Sequence, residues 1–211
     1  MVELNLVHRA RLPETASRAP AVVMVHGWLG NENVMSAFDH VLPPGVAAFY
    51  PRAPFAVENG FCWSTAQEDR ASFAAGVAAL REFVTALPQQ YPVTAQQIIL
   101  MGFSQGGAVC ATVLAQAPEL VRGAAILCGL LPGMARKALN QNLATLSGKP
   151  VFITHGTKDQ TVPVEQAREA RDLLSQAGAE VSYSEFLVGH KLNPEGLRQL
   201  KHWLAQTIGH G

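Results

Sequence analysis

The sequence predicts an α/β fold with a mainly parallel central sheet and helices on both faces. Short, continuous apolar runs recur along the 211 residues, and segments of helical periodicity lie between them. Such runs suit strands buried on both faces, and strands alternating with helices imply right-handed crossovers. In addition, Gly102, Gly106 and Gly107 surround Ser104 where a strand-like run meets a helix-like run. Glycine weakens both kinds of element, so this punctuation marks a turn too tight for side chains beside the serine.

The elements follow in order. Ala21 to Val25 is a strand that closes on His26-Gly27-Trp28-Leu29-Gly30, and Val46 to Tyr50 is the next. Ser64 to Leu87 reads as a helix, with Phe73, Val77, Leu80, Val84 and Leu87 on one stripe and Ser64 with Gln67 as a capping box. Ile98 to Met101 is a strand, and a helix starts near Gln105. Ala124 to Leu127 and Val151 to Ile153 are two more strands. The stretch joining them has room for a short helix but not for a large cap domain. Glu165 to Ala177 is helical, with Pro163 near its start and Gly178 just past its end. Val181 to Ser184 alternates, as a half-exposed strand near a sheet edge does. A last helix opens at Asn193-Pro194 and carries Leu197, Leu200 and Leu204. No repeat, low-complexity tract or linker-like shift intervenes, so one domain over residues 1–211 is expected.

Composition narrows the function. Hydrophobic residues make up 48% and charged residues 15%, and lysine plus arginine equals aspartate plus glutamate at 16 each. That balance argues against nucleic acid, anionic membranes and strongly charged substrates. Cys62, Cys110 and Cys128 are far apart and lack CxxC spacing, which suits reduced, buried thiols in a cytoplasmic protein. The N-terminal stretch carries charge where a signal peptide needs an apolar core. No run reaches the roughly 18 apolar residues of a membrane span.

Ligands of such sheets bind at the carboxyl ends of the strands, and the candidate residues gather there. Gly102-Phe103-Ser104-Gln105-Gly106 fits G-x-S-x-G, the turn that lifts a nucleophilic serine above a strand end. A serine hydroxyl needs a base that is itself held in place, and in this fold class the order is serine, acid, histidine. After Ser104 the aspartates are Asp159, in a loop after a strand and a glycine turn, and Asp172, inside a helix pattern. Asp159 is the acid. His190 stands after the edge strand and ahead of the last helix, whereas His202 lies within that helix and His210 in the terminal tail. His190 is the base. His155 precedes the acid and reads as a strand-end residue with a local hydrogen bond. His26 reads as a structural histidine orienting its loop. That loop supplies one backbone N–H for an oxyanion, and Gln105 supplies the other.

With these residues in view, the sequence resembles the phospholipase/carboxylesterase family of α/β-hydrolases, which includes acyl-protein thioesterase-like enzymes. The match rests on His26-Gly27, Pro51-Arg52-Ala53-Pro54 and Trp63, Gly102 to Gly107, His155 to Pro163, and Gly189-His190. It implies an α/β-hydrolase fold, a Ser104-Asp159-His190 triad, no cofactor and no metal, and hydrolysis of small carboxylic esters or thioesters. The family usually has glycine where this chain has Leu29, so the first oxyanion N–H falls to Trp28 or Leu29, with Trp28 preferred. Leu29, Phe61, Trp63, Leu130, Leu131 and Val162 follow strand ends and are the candidate acyl-groove residues, a groove for short or medium chains. A serine at position 104 argues against a dehalogenase, which needs a carboxylate there, and a dienelactone-type hydrolase, which uses cysteine. Lysophospholipase or acyl-protein thioesterase work is the alternative within the class, and a non-catalytic binding protein on this scaffold is the remote one. A homodimer stays open.

Overall fold

A computed structural model of the chain describes residues 4–14, 18–66, 68–141 and 146–209. The strands are β1 (His8–Arg11), β2 (Ala19–Val25), β3 (Ala47–Pro51), β4 (Phe55–Val57), β5 (Gly60–Cys62), β6 (Val93–Phe103), β7 (Gly123–Leu127), β8 (Pro150–Gly156) and β9 (Glu180–Phe186). The helices are α1 (Arg70–Gln90), α2 (Gln105–Gln116), α3 (Gly133–Gln141), α4 (Val164–Gln176) and α5 (Pro194–Gly209), with a 3₁₀ segment at Val34–Val41.

Seven strands form the central sheet in the order β1-β3-β2-β6-β7-β8-β9, while β4 and β5 make a separate hairpin. Every pairing in the large sheet is parallel except β1 with β3. The chain runs from β2 outward to β3 and later returns to β2's other side with β6. That reversal puts a topological switch point at the carboxyl ends of β2 and β6, where open α/β sheets hold their ligands.

Alternation along β2 explains why the central runs are apolar throughout. Ala21, Val23 and Val25 face a core shared with α1, α2, α3 and α4, while Val22 and Met24 face a second core closed by the 3₁₀ segment and α5. The helix behind the serine is buried from Gly106 to Ala115 and built of small and aliphatic residues. A helix apolar all round belongs in a core, and its tight packing keeps its N-terminus from shifting. Among the described residues, no helix is long and apolar enough to cross a membrane.

The expected strands are present, and β9 is at the sheet edge as its alternation indicates. Four differences stand out. The polar His8–Arg11 pairs antiparallel with β3 as the other edge strand, where one face meets solvent and an apolar run is not required. The hairpin β4-β5 has strands of 3 residues each, too short for a period to show. β6 begins at Val93 rather than Ile98, its first half being partly exposed. And α1 starts at Arg70, not Ser64. Asp69 caps it by accepting the Ser72 N–H at 3.0 Å, while the Ser64 hydroxyl donates to the Ala66 carbonyl at 2.7 Å. Gln67, the other half of the expected capping box, and His210 lie outside the described residues.

Candidate active site

The serine turn is built as its glycines require. Ser104 has φ 54° and ψ −118°, outside the ordinary regions for a residue with a side chain. A Cβ on Gly102 would lie 2.3 Å from the Gly106 carbonyl oxygen, and one on Gly106 would lie 2.2 Å from that of Val25. Only glycine fits at either place. The Ser104 N–H donates to the Leu127 carbonyl at 2.8 Å, and its own carbonyl accepts from Ala108 at 3.1 Å, opening α2. Gln105 is therefore the first helical residue, whose N–H has no partner within the helix. Its side chain is fixed elsewhere: Oε1 accepts from the Trp63 N–H at 2.8 Å, and Nε2 donates to the Ser64 carbonyl at 3.1 Å.

The loop after β2 stands beside this turn, since a Cβ on Gly27 would lie 3.3 Å from Ser104 Cβ. His26 beneath it is fully buried. Its Nε2 accepts from the Ala53 N–H at 3.0 Å, which leaves Nδ1–H to donate to the Gly27 carbonyl at 2.7 Å. Burial holds its pKa below the ordinary value, against weaker opposing pulls from the Gly27 carbonyl and Glu32. The Gly30 N–H closes a turn on the Gly27 carbonyl at 3.2 Å, with Trp28 and Leu29 at its tip, each 46% exposed. Leu29 has φ 62°, the conformation for which glycine is expected there. Gly30 pairs with Phe61, and Arg52 lies 4.6 Å over the Phe61 ring while gripping Glu32 through two bonds of 2.6 Å. That grip holds the Glu32 carboxyl at about 2.

Across the switch point, two loops cross to bring together residues far apart in the chain. A Cβ on Gly156 would lie 2.2 Å from the Gly189 carbonyl oxygen, so glycine is needed for the crossing. The Thr157 and Lys158 N–H groups donate to the Phe186 and Val188 carbonyls at 2.8 and 2.9 Å. Asp159 Oδ1 accepts from the N–H groups of Thr161 and Val162, each at 2.9 Å, and Oδ2 accepts from His190 Nδ1 at 2.6 Å. Burial pushes the Asp159 carboxyl up, but the Val162 N–H, His190 and the Thr161 N–H together outweigh it and leave it below the ordinary value. The His190 side chain is 22% exposed, and its ring centroid lies 5.0 Å from that of Phe103, the residue before Ser104.

Asp172 is exposed on α4, bonded to Arg171, and His202 is exposed on α5. His155 donates from Nε2 to the Val162 carbonyl at 2.8 Å, the local bond expected of it. The groove residues divide. Leu29 is open, and Phe61 and Leu130 are half-buried. Trp63 and Leu131 are fully buried, which corrects their assignment: neither has a face for a substrate. Trp63 instead donates its indole N–H to the His26 carbonyl at 3.0 Å and supports the loop from within. Val162 is 7% exposed and belongs to the Asp159 loop.

Sequence reasoning passed over Cys128. It follows β7 with φ 49°, and its sulfur, an Asp159 oxygen and a His190 nitrogen all lie within 4.8 Å of one another. That donor set could suit a metal; without one, burial, with the Asp159 charge, pushes the thiol up to about 12. All three cysteines are free and buried. Among the described residues, the non-glycines with left-handed backbone are Leu29, Ser104 and Cys128, each just past a strand end on this side.

Residues 60–208 match the family described as Phospholipase/Carboxylesterase. A probable carboxylesterase of Arabidopsis thaliana is 30% identical over 117 residues, 55% of this chain and 44% of that protein. Acyl-protein thioesterase 1 of Candida albicans is 24% identical over 200 residues, 82% of this chain and 84% of that one. This chain thus spans less than half of the first relative and most of the second. The crystal structure of the Bacillus cereus carboxylesterase superposes with a TM-score of 0.83 at 24% identity, covering 96% of this chain and 95% of that one, a likeness of fold.

Proposed function

The chain belongs to the phospholipase/carboxylesterase family, a family of α/β-hydrolases, and on that premise we propose that it hydrolyses carboxylic esters through Ser104, His190 and Asp159. The observation that carries this reading is the 2.6 Å bond from His190 Nδ1 to Asp159, on the same sheet end as a serine held at φ 54°. With Nδ1–H committed to the carboxylate, Nε2 is left as the base. It takes the Ser104 proton as Oγ attacks the ester carbonyl carbon, and the carbonyl electrons move onto oxygen. The N–H groups of Trp28 and Gln105 stabilise that oxyanion, and the turn's strain and the buried α2 keep them in place. Collapse expels the alkoxide, which leaves as the alcohol with the proton from His190. Water, deprotonated by the same imidazole, then attacks the acyl-enzyme and frees the carboxylic acid and Ser104.

In this reading Trp28, Leu29, Phe61 and Leu130 border the acyl group, with α3 too small to act as a cap, so short to medium chains are favoured. Activation comes from side chains and backbone N–H groups, so neither metal nor cofactor is required. The protein works as one cytoplasmic domain on small molecules, with no nucleic acid and no stable membrane insertion; a homodimer is compatible with it. The likeness to the Candida albicans acyl-protein thioesterase over 82% of the chain favours a second reading, thioester cleavage through the same intermediate.

The test is active-site labelling with a fluorophosphonate beside kcat/KM for p-nitrophenyl esters from acetyl to palmitoyl, an acyl-CoA and a lysophospholipid. Wild type should label once, at Ser104, Ser104→Ala should not label, and activity should peak at short or medium chains and survive EDTA. Preference for the acyl-CoA would select the thioesterase reading. A labelled Ser104→Ala would overturn the nucleophile, and ligand binding without labelling or turnover would favour the binding-protein alternative.

A further inference from the structure

His155 lies under the acid, 1% exposed, at the end of β8. Its Nε2 is 2.8 Å from the Val162 carbonyl oxygen, and a carbonyl can only accept, so Nε2 carries the proton. The same nitrogen stands 3.3 Å from Asp159 Oδ2, the oxygen that His190 also engages. Nδ1, left bare, is buried and has no hydrogen-bond partner. An unpartnered buried acceptor is a standing cost that an apolar side chain here would avoid, and such groups call for a reason.

The hydrogen bonds around it supply one. Val162 accepts from His155 through its carbonyl and donates through its own N–H to Asp159 Oδ1 at 2.9 Å. His155, Val162 and Asp159 thus form a closed ring of contacts, which holds the carboxylate by Oδ1 and lays imidazole N–H polarity beside Oδ2. We propose that His155 is a positioning residue for Asp159, a second imidazole that fixes how the carboxylate is presented to His190. It touches neither substrate nor Ser104 in this role. The other groups around the carboxylate are the Thr161 N–H, on Oδ1, and Cys128, whose neutral thiol adds no charge. The proposal goes beyond the assignment of the triad and rests on it.

Two variants separate positioning from mere support. His155→Gln keeps an N–H near the Nε2 position, while His155→Phe fills the space without a donor. With rates normalised to fluorophosphonate-titrated sites, His155→Phe should lose about 10-fold or more in kcat with KM nearly unchanged, the scale of a misplaced catalytic group. His155→Gln should recover most of it. The low-field proton resonance of the His190–Asp159 bond should shift in His155→Phe and return in His155→Gln. Wild-type kcat per titrated site in His155→Phe, or equal losses in both variants, would overturn the proposal. Should His155→Phe not fold, the imidazole ¹⁵N spectrum of wild type decides, because a proton on Nδ1 rather than Nε2 makes the donation impossible. Asp159→Asn run alongside separates the two levels. If that variant is inactive while His155→Phe is unaffected, only this proposal fails; if Asp159→Asn is active, the triad itself is wrong.

Discussion

Two strands of this sheet, β2 and β8, run into the same dipeptide, His26-Gly27 and His155-Gly156, and both imidazoles are buried. Their surroundings differ. His26 has a partner on each nitrogen, one from the Ala53 N–H and one at the Gly27 carbonyl, and its neighbour Trp63 ties its carbonyl as well. It ties its loop to the Ala53 and Trp63 segments. His155 has one nitrogen on a carbonyl, near a carboxylate, and the other on nothing. The two sides of the site are also held in different ways. Both have tight backbone approaches, at Gly60 on one side and Gly156 on the other, but the loop beside His26 also holds a left-handed Leu29. From Gly156 to Val162 no residue has positive φ, and the acid is held by hydrogen bonds. A histidine-glycine pair at a strand end therefore does not specify a role; the partner of the second ring nitrogen does.

The largest effect should fall on the acid's side. Asp159→Asn keeps an oxygen for the Thr161 and Val162 N–H groups, so the fold should survive, but the amide favours the wrong tautomer of His190. Turnover should drop by up to about 10⁴-fold, as for the acid of triad proteases. Steady-state kinetics on a short-chain ester, with thermal melting as the fold control, measures both parts. A near-wild-type Asp159→Asn beside an inactive Asp172→Asn would reverse the assignment.

Opposite it, His26 should matter to stability first. His26→Leu strands the buried Ala53 N–H, while the Gly27 carbonyl keeps its bond from the Gly30 N–H. Urea unfolding should show a loss of roughly 1–3 kcal/mol, the cost of one unsatisfied buried group. The sign with pH follows from its lowered pKa, in which burial leads, Glu32 pulls upward and Arg52 downward. As pH falls through the unfolded value of 6.5, the unfolded chain gains a proton that the folded one resists. His26's contribution is thus whole above that pH and lost progressively towards the lower folded value. His26→Leu should remove that part of the acid slope; an unchanged slope would mean His26 is not held neutral.

What the sequence discloses of this comparison follows from what each feature depends on. The runs at Ala21, Val46, Ile98, Ala124 and Val151 show because both faces of those strands are covered, whereas His8–Arg11 is an edge with polar residues and cannot show that way. Ser64-x-x-Gln67 imitates a helix start, but Asp69 is five residues nearer the stripe and has Ser72 in reach. The serine turn shows because steric crowding demands glycine at 102 and 106. Direction within a loop leaves no such trace. Trp63 and Leu131 follow strand ends as Leu29 does, yet turn inward, and nothing in their spacing separates them. Cys128 is near Asp159 only through parallel pairing of β7 with β8, a contact made in three dimensions, and the spacing of four between His155 and Asp159 does not show that the ring turns onto the carboxylate.

The smallest effect tests the strain on the His26 side. A left-handed backbone costs a residue with a Cβ roughly 1–2 kcal/mol, and glycine avoids that cost but loses about 0.5–1 kcal/mol of backbone entropy relative to alanine. Leu29 is held at φ 62° from both sides, for its carbonyl rests where a Gly60 Cβ would be and Gly30 packs on the His26 ring. Both Leu29→Ala and Leu29→Gly give up the contacts of a side chain already 46% exposed, so that loss cancels between them. The difference isolates the strain: Leu29→Gly should be more stable than Leu29→Ala by about 0.5–1 kcal/mol, read as a shift in urea midpoint at constant slope. The same pair made at Thr157 or Lys158, in ordinary backbone on the acid's side, should show the reverse order, alanine above glycine. Alanine above glycine at position 29 as well would mean that this turn relaxes at little cost, and the His26 side would then be held by its close glycine packing alone.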